Sequence, residues 1–144
     1  VARADLEEYM KAHNVPGDRL PGREALVLVV DDVEAELAAS VNALSDGTAW
    51  RVESTRSGFE AGLKTMDLKP DVLVLDVFLR DRDGREVARR VRADPRLAAT
   101  RILVVTGAQE DSIALEALLA GADAFLRKPF APEQLRAAVR KLLS

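Results

Sequence analysis

A chain of 144 residues holds one core of ordinary size and leaves no room for two. With 48% hydrophobic residues and a formal net charge of −3, it is composed as a compact globule and lacks the basic excess of a dedicated nucleic-acid binder. The absence of cysteine excludes a disulfide framework, a thiolate nucleophile and sulfur-bound zinc, and the single His13 excludes a histidine cluster.

Val1–Asn14 reads as a helix with apolar Leu6, Tyr9 and Met10. Asp5, Glu7 and Glu8 stand near its start and Lys11 near its end, an order that suits the helix dipole. Val15–Gly22 carries two prolines and two glycines and reads as a linker. The expected division is therefore 1–22, a helix and linker left from an upstream domain, and 23–144, the main domain. The chain opens on Val1 rather than methionine, which also points to residues upstream.

From Ala25 the pattern alternates short apolar strands with amphipathic helices. Ala25–Val30 is the first strand, and an acidic pair follows it. Glu34–Leu44 is a helix with Leu37, Val41 and Leu44 on one face and Gly47 near its end. Ala49–Glu53 is a more polar strand, expected at an edge. Gly58–Met66 is the second helix, and Pro70 precedes the aliphatic third strand, Val72–Leu75, which ends on Asp76. Arg85–Ala93, the strand Ile102–Val105 ending on Thr106, and Ser112–Leu119 come next. A short fifth strand, Asp123–Leu126, stops near Lys128, and Pro132 opens a final helix to Leu143. Five strands alternating with five helices predict an α/β fold whose parallel sheet is covered on both faces. Right-handed crossovers then bring all strand C-terminal ends to one edge, where ligands of such folds bind.

That edge gathers Asp31, Asp32, Asp76, Thr106 and Lys128. Carboxylates brought together repel unless a cation neutralises them, and an all-oxygen donor set favours magnesium, with manganese as the alternative ion. A carboxylate beside such an ion suits nucleophilic attack on a phosphoryl group, with Lys128 as a second positive charge and the Thr106 hydroxyl as a hydrogen-bond donor. Asp76 is the nucleophile candidate because it ends the central strand between the acidic pair and the lysine. Taken singly each residue has a plainer reading: the acidic pair as a turn or helix cap, Asp76 as a loop residue, Lys128 as a surface lysine, Thr106 with Gly107 as a turn. Their joint placement at consecutive strand ends carries the signal.

From about Leu26 to Leu143 the sequence resembles the receiver domain of bacterial two-component response regulators. The likeness rests on Asp31 and Asp32 after the first strand and on the stretch Asp76-Val77-Phe78-Leu79-Arg80-Asp81-Arg82-Asp83-Gly84. It rests also on Thr106 and on Lys128 before Pro129. It implies a flavodoxin-like (βα)5 fold with strand order 2-1-3-4-5, a cis Lys128–Pro129 bond, and Asp76 as phosphoacceptor. It implies a magnesium site made by Asp31, Asp32, Asp76 and the Phe78 carbonyl, and Thr106 and Phe125 as switch residues that remodel the face of the fourth helix, fifth strand and fifth helix. Phe125 reads equally as a core residue of the last strand. A sensor histidine kinase or phosphotransfer protein is the implied partner, and a homodimer through that same face is the implied assembly.

Two departures stand out. Arg80 replaces the proline usual at its position, and Phe78 places a bulky apolar group near the phosphoryl site, where it would hinder attacking water and lengthen the phosphorylated state. The arginines Arg80, Arg82, Arg85, Arg89, Arg90 and Arg92 read as a solvated face with local ion pairs.

Val1-Ala2-Arg3-Ala4-Asp5-Leu6 resembles the closing helix of excisionase-like winged-helix DNA-binding domains. An upstream DNA-binding or other output domain is therefore expected, incomplete here, with no direct nucleic-acid binding by these residues. No apolar run reaches a membrane span and no signal peptide is visible, so no membrane partner and a cytoplasmic setting are expected. The function expected is a signalling switch phosphorylated on Asp76, not a turnover enzyme beyond self-phosphorylation and slow autodephosphorylation. The alternative is a pseudo-receiver serving as a phosphorylation-independent interaction or dimerisation module. A phosphatase with an aspartyl nucleophile would need a capping element, for which the short connections leave little room.

Overall fold

The computed structural model describes residues 24–107 and 111–144, and the expected leading helix and linker lie outside them. Five strands alternate with five helices: β1 (Leu26–Val30), α1 (Glu34–Ser45), β2 (Arg51–Thr55), α2 (Gly58–Leu68), β3 (Val72–Asp76), α3 (Gly84–Ala93), β4 (Arg101–Thr106), α4 (Asp111–Leu119), β5 (Ala124–Arg127) and α5 (Pro132–Leu143). All strands are parallel in the order 2-1-3-4-5, as expected.

The three inner strands are aliphatic because both their faces are covered. Successive residues point to opposite sides, so each strand feeds two cores. Leu28, Val30, Leu73, Leu75, Ile102 and Val104 pack with Ala61 of α2, Val87 and Val91 of α3 and Ala117 of α4. Val27, Val29, Val72, Val74, Leu103 and Val105 pack with Leu37 and Leu44 of α1 and Leu135, Val139 and Leu143 of α5. By the same alternation Asp31, Asp76 and Lys128 fall on the α1–α5 side, while Thr106, Phe125 and Arg127 fall on the α4 side.

The polar strand β2 is indeed at an edge, but it starts two residues later than expected. The Thr48 hydroxyl donates to the Leu44 carbonyl and accepts from the Trp50 N–H, which draws Thr48–Trp50 into the turn after α1. Pairing begins only where the Arg51 N–H donates to the Ala25 carbonyl. The Lys128–Pro129 bond is cis, as the resemblance implied.

Behind Asp76 the chain turns tightly into α3. The Gly84 N–H donates to the Val77 carbonyl at 2.7 Å, and a Cβ on Gly84 would lie 2.1 Å from the Asp76 carbonyl oxygen. Nothing but glycine fits without moving the end of β3. Gly62, in the middle of α2, has open space where its Cβ would be. In urea denaturation Gly84→Ala is expected to lose about 2–3 kcal/mol, whereas Gly62→Ala should gain roughly 0.5–1 kcal/mol from helix propensity.

Candidate functional site

The C-terminal ends of β1 and β3 carry Asp31 and Asp76, both buried. With Asp32 they form a cluster in which one carboxylate oxygen from each lies within 4.8 Å of the others. Lys128, just past β5, inserts its ammonium among them: Nζ is 2.9 Å from Asp31 Oδ2 and 3.4 Å from Asp76 Oδ2. A third carboxylate, Glu36 on α1, lies 3.1 Å from the same nitrogen. Three acidic side chains, Asp31, Asp76 and Glu36, thus meet around one fixed cation, with Asp32 beside them.

Burial pushes the Asp76 carboxyl above the ordinary carboxylate range, and the Asp31 charge adds to that push. The Lys128 charge and the Phe78 N–H, which donates to Asp76 Oδ1 at 3.2 Å, act against it. For Lys128, burial works against the charge, but the hydrogen bond to Asp31 and the charges of Asp76 and Asp31 outweigh it and hold the ammonium above its usual range. Asp31 also accepts from the Val33 N–H at 3.0 Å, so the plainer turn reading holds beside the chemical one.

Asp31, Asp32, Asp76 and Lys128 are therefore brought together. Thr106 is buried at the end of β4, one residue beyond Val105, the register partner of Asp76. Phe125 lies on the edge strand β5 and is 38% exposed, with the Arg127 guanidinium 5.7 Å from its ring centroid, so it is not a core side chain. Phe78 is also exposed, beside the strand end that bears Asp76.

The donor set fits a hard divalent cation. Three carboxylates converge with no soft ligand, and their mutual repulsion falls when a positive charge enters.

Three contributors escaped the sequence reading. Glu36 adds a carboxylate to Lys128 from a helix position that reads as ordinary surface charge. The Arg80 N–H donates to Asp32 Oδ2 at 2.9 Å. Asp81 caps α2 from the loop after Asp76, accepting from the Gly58 N–H at 2.9 Å, the Phe59 N–H at 3.0 Å and the Ser57 hydroxyl at 2.9 Å. The arginine run mostly behaves as expected, with Arg82 and Arg90 paired to Glu86. Arg92 differs: it ties α3 to the carbonyls of Gly121 and Thr100.

The response regulator receiver domain family matches residues 27–140, and the chain belongs to that family. It is 39% identical over 125 residues to the transcriptional regulatory protein TrcR of Mycobacterium tuberculosis, covering 87% of this chain and 48% of that protein. It is 40% identical over 117 residues to the response regulator MprA of Mycobacterium ulcerans, covering 81% of this chain and 49% of that protein. The chain thus spans about half the length of these relatives. The chemotaxis response regulator CheY4 of Vibrio cholerae superposes with a TM-score of 0.78 at 30% identity, covering 84% of this chain and all of that one. The family makes this a receiver domain of two-component signalling, a phosphorylation-activated switch rather than an enzyme of substrate turnover. Among the described residues no helix is long and apolar enough to cross a membrane.

The three donors to Asp81 hold its carboxyl down at about 2, against 3.8 for the free group. A depressed folded-state pKa contributes stability that is present above pH 4 and is lost as pH falls toward 2. Asp81 is exposed, so after screening by solvent Asp81→Ala is expected to cost about 1 kcal/mol at neutral pH. The gap between the urea midpoints of the two proteins should shrink as pH falls from 4 to 2, and a gap independent of pH would count against the cap.

Proposed function

We propose that Asp76 accepts a phosphoryl group from the phosphohistidine of a sensor histidine kinase or a phosphotransfer protein. A carboxylate oxygen of Asp76 forms the new O–P bond, the donor's N–P bond breaks, and the imidazole leaves to take up a proton. The observation that carries this reading is the Lys128 ammonium held within hydrogen-bond reach of Asp31 and Asp76 at the end of the central strand. Asp31, Asp32, Asp76 and the Phe78 carbonyl would hold Mg2+, or Mn2+ in its place. When bound, the ion supplies charge stabilisation to the phosphoryl oxygens. Lys128 stabilises the same developing charge from the protein side, and the Thr106 hydroxyl donates to a phosphoryl oxygen. With a small-molecule donor such as acetyl phosphate the domain phosphorylates itself.

Thr106 and Phe125 act as the switch pair. Both fall on the α4 side of the sheet, and the exposed ring of Phe125 leaves it free to change place when Thr106 turns toward a phosphoryl group. The surface it would remodel carries exposed Leu115, Leu118 and Leu119, which suits a homodimer through α4, β5 and α5. The relatives named as transcriptional regulators support an output in transcription, delivered by a domain other than this one. Residues 23–144 are read as the receiver, and residues 1–22, whose sequence resembles part of an excisionase-like DNA-binding domain, as belonging to a separate domain. The domain works in the cytoplasm and does not itself bind nucleic acid.

Incubation with acetyl phosphate and magnesium should add one phosphoryl mass to the intact protein, and none to Asp76→Asn or to a metal-free sample. No adduct at any reaction time, under conditions that label another receiver, would sink the proposal. Phe78→Asn opens the approach to the acyl phosphate and gives water a hydrogen-bonding partner. Its dephosphorylation should be faster by roughly threefold or more, and an unchanged rate would remove Phe78 from the account.

A further inference from the structure

Two of the clustered carboxylates, Asp31 and Asp76, share Lys128 as their counter-ion. Asp32 draws on a different cation. From the loop that follows Asp76, the Arg80 N–H donates to Asp32 Oδ2 at 2.9 Å, and the Arg80 guanidinium Nε lies 3.7 Å from the same oxygen. From the other side, the Arg56 guanidinium donates to the Asp32 carbonyl at 3.3 Å and lies 3.9 Å from Glu34.

The two cations of the cluster differ in how firmly they are held. The Lys128 side chain is 18% exposed and touches three carboxylates, so it stays when another ion arrives. The Arg80 side chain is 87% exposed and has solvent to retreat into. Its backbone N–H, by contrast, is fixed by the loop and keeps Asp32 turned toward the cluster.

We infer that Arg80 is a positioning residue that sets the affinity of the acidic cluster for a divalent cation. Its N–H orients Asp32, and its guanidinium stands on Asp32 as a counter-charge that the incoming ion must displace or oppose. The inference rests on reading Asp31, Asp32 and Asp76 as the metal site. A proline at this position would lack both the N–H and the charge. A cation placed so close to a carboxylate ligand lowers the affinity of that ligand for a second cation, and salt weakens the effect because the guanidinium is exposed.

Mn2+ binding to the unphosphorylated protein, followed by electron paramagnetic resonance of the free ion, tests this on wild type, Arg80→Gln and Arg80→Lys. All three keep the backbone N–H, so any difference lies in the side chain, and Arg80→Lys separates the charge from the guanidinium shape. Arg80→Gln is expected to bind Mn2+ roughly threefold more tightly at low salt, with the gain shrinking at high salt. Arg80→Lys, which restores the charge, should match wild type. Equal affinity in all three proteins, or a gain in Arg80→Lys as large as in Arg80→Gln, would overturn the role of the Arg80 charge while leaving the metal site standing. No Mn2+ binding by any of them would overturn the metal site and this inference with it.

Discussion

Carboxylates repel, and this fold concentrates them. Asp31, Asp32 and Asp76 lie within a few ångströms at the C-terminal edge of the sheet, two of them buried, with Glu36 beside them. Such an arrangement is unfavourable unless positive charge sits inside it, and Lys128 supplies that charge from just past the edge strand β5. The neutralisation is incomplete, since one ammonium faces several carboxylates. That residual negative charge gives a divalent cation a reason to bind.

Around this centre the loop from Val77 to Asp83 is pinned at both ends. Gly84 lets α3 start against the Asp76 backbone, closer than any side chain allows. Asp81 fastens the same loop to the N-terminus of α2. Arg85 carries the connection onward, bridging Asp83 at the start of α3 to Glu116 on α4. A change in charge at Asp76 therefore acts on a loop that is tied to the helices on one face of the sheet. Alternation along β4 and β5 places Thr106 and Phe125 on that same face.

The inner strands and the acidic cluster were legible because local pattern decides them. Continuous aliphatic runs such as Val72–Leu75 admit few fates other than a strand buried on both sides, and the residue that ends each run lands at the sheet edge whatever the details of packing. The start of β2 was not legible, since Thr48 spends its hydroxyl on a turn that propensity does not report. Glu36, Arg80 and Asp81 were missed for a shared reason. Their partners, Lys128, Asp32 and the first turn of α2, lie from about twenty to ninety residues away in the chain, and charged residues in helices and loops usually face solvent. The outward pose of Phe125 likewise depends on which side of the edge strand is left uncovered.

The claim on which the rest depends is that Lys128 holds the acidic cluster together as its internal counter-ion. Thermal unfolding of Lys128→Met, in EDTA and in excess magnesium, tests it most directly. Removing one partner of a buried ion pair leaves uncompensated charge, so the variant should lose on the order of 3 kcal/mol in EDTA, and magnesium should restore much of that loss by neutralising the same carboxylates. A variant as stable as wild type in EDTA, or one whose loss magnesium does nothing to repair, would contradict the account.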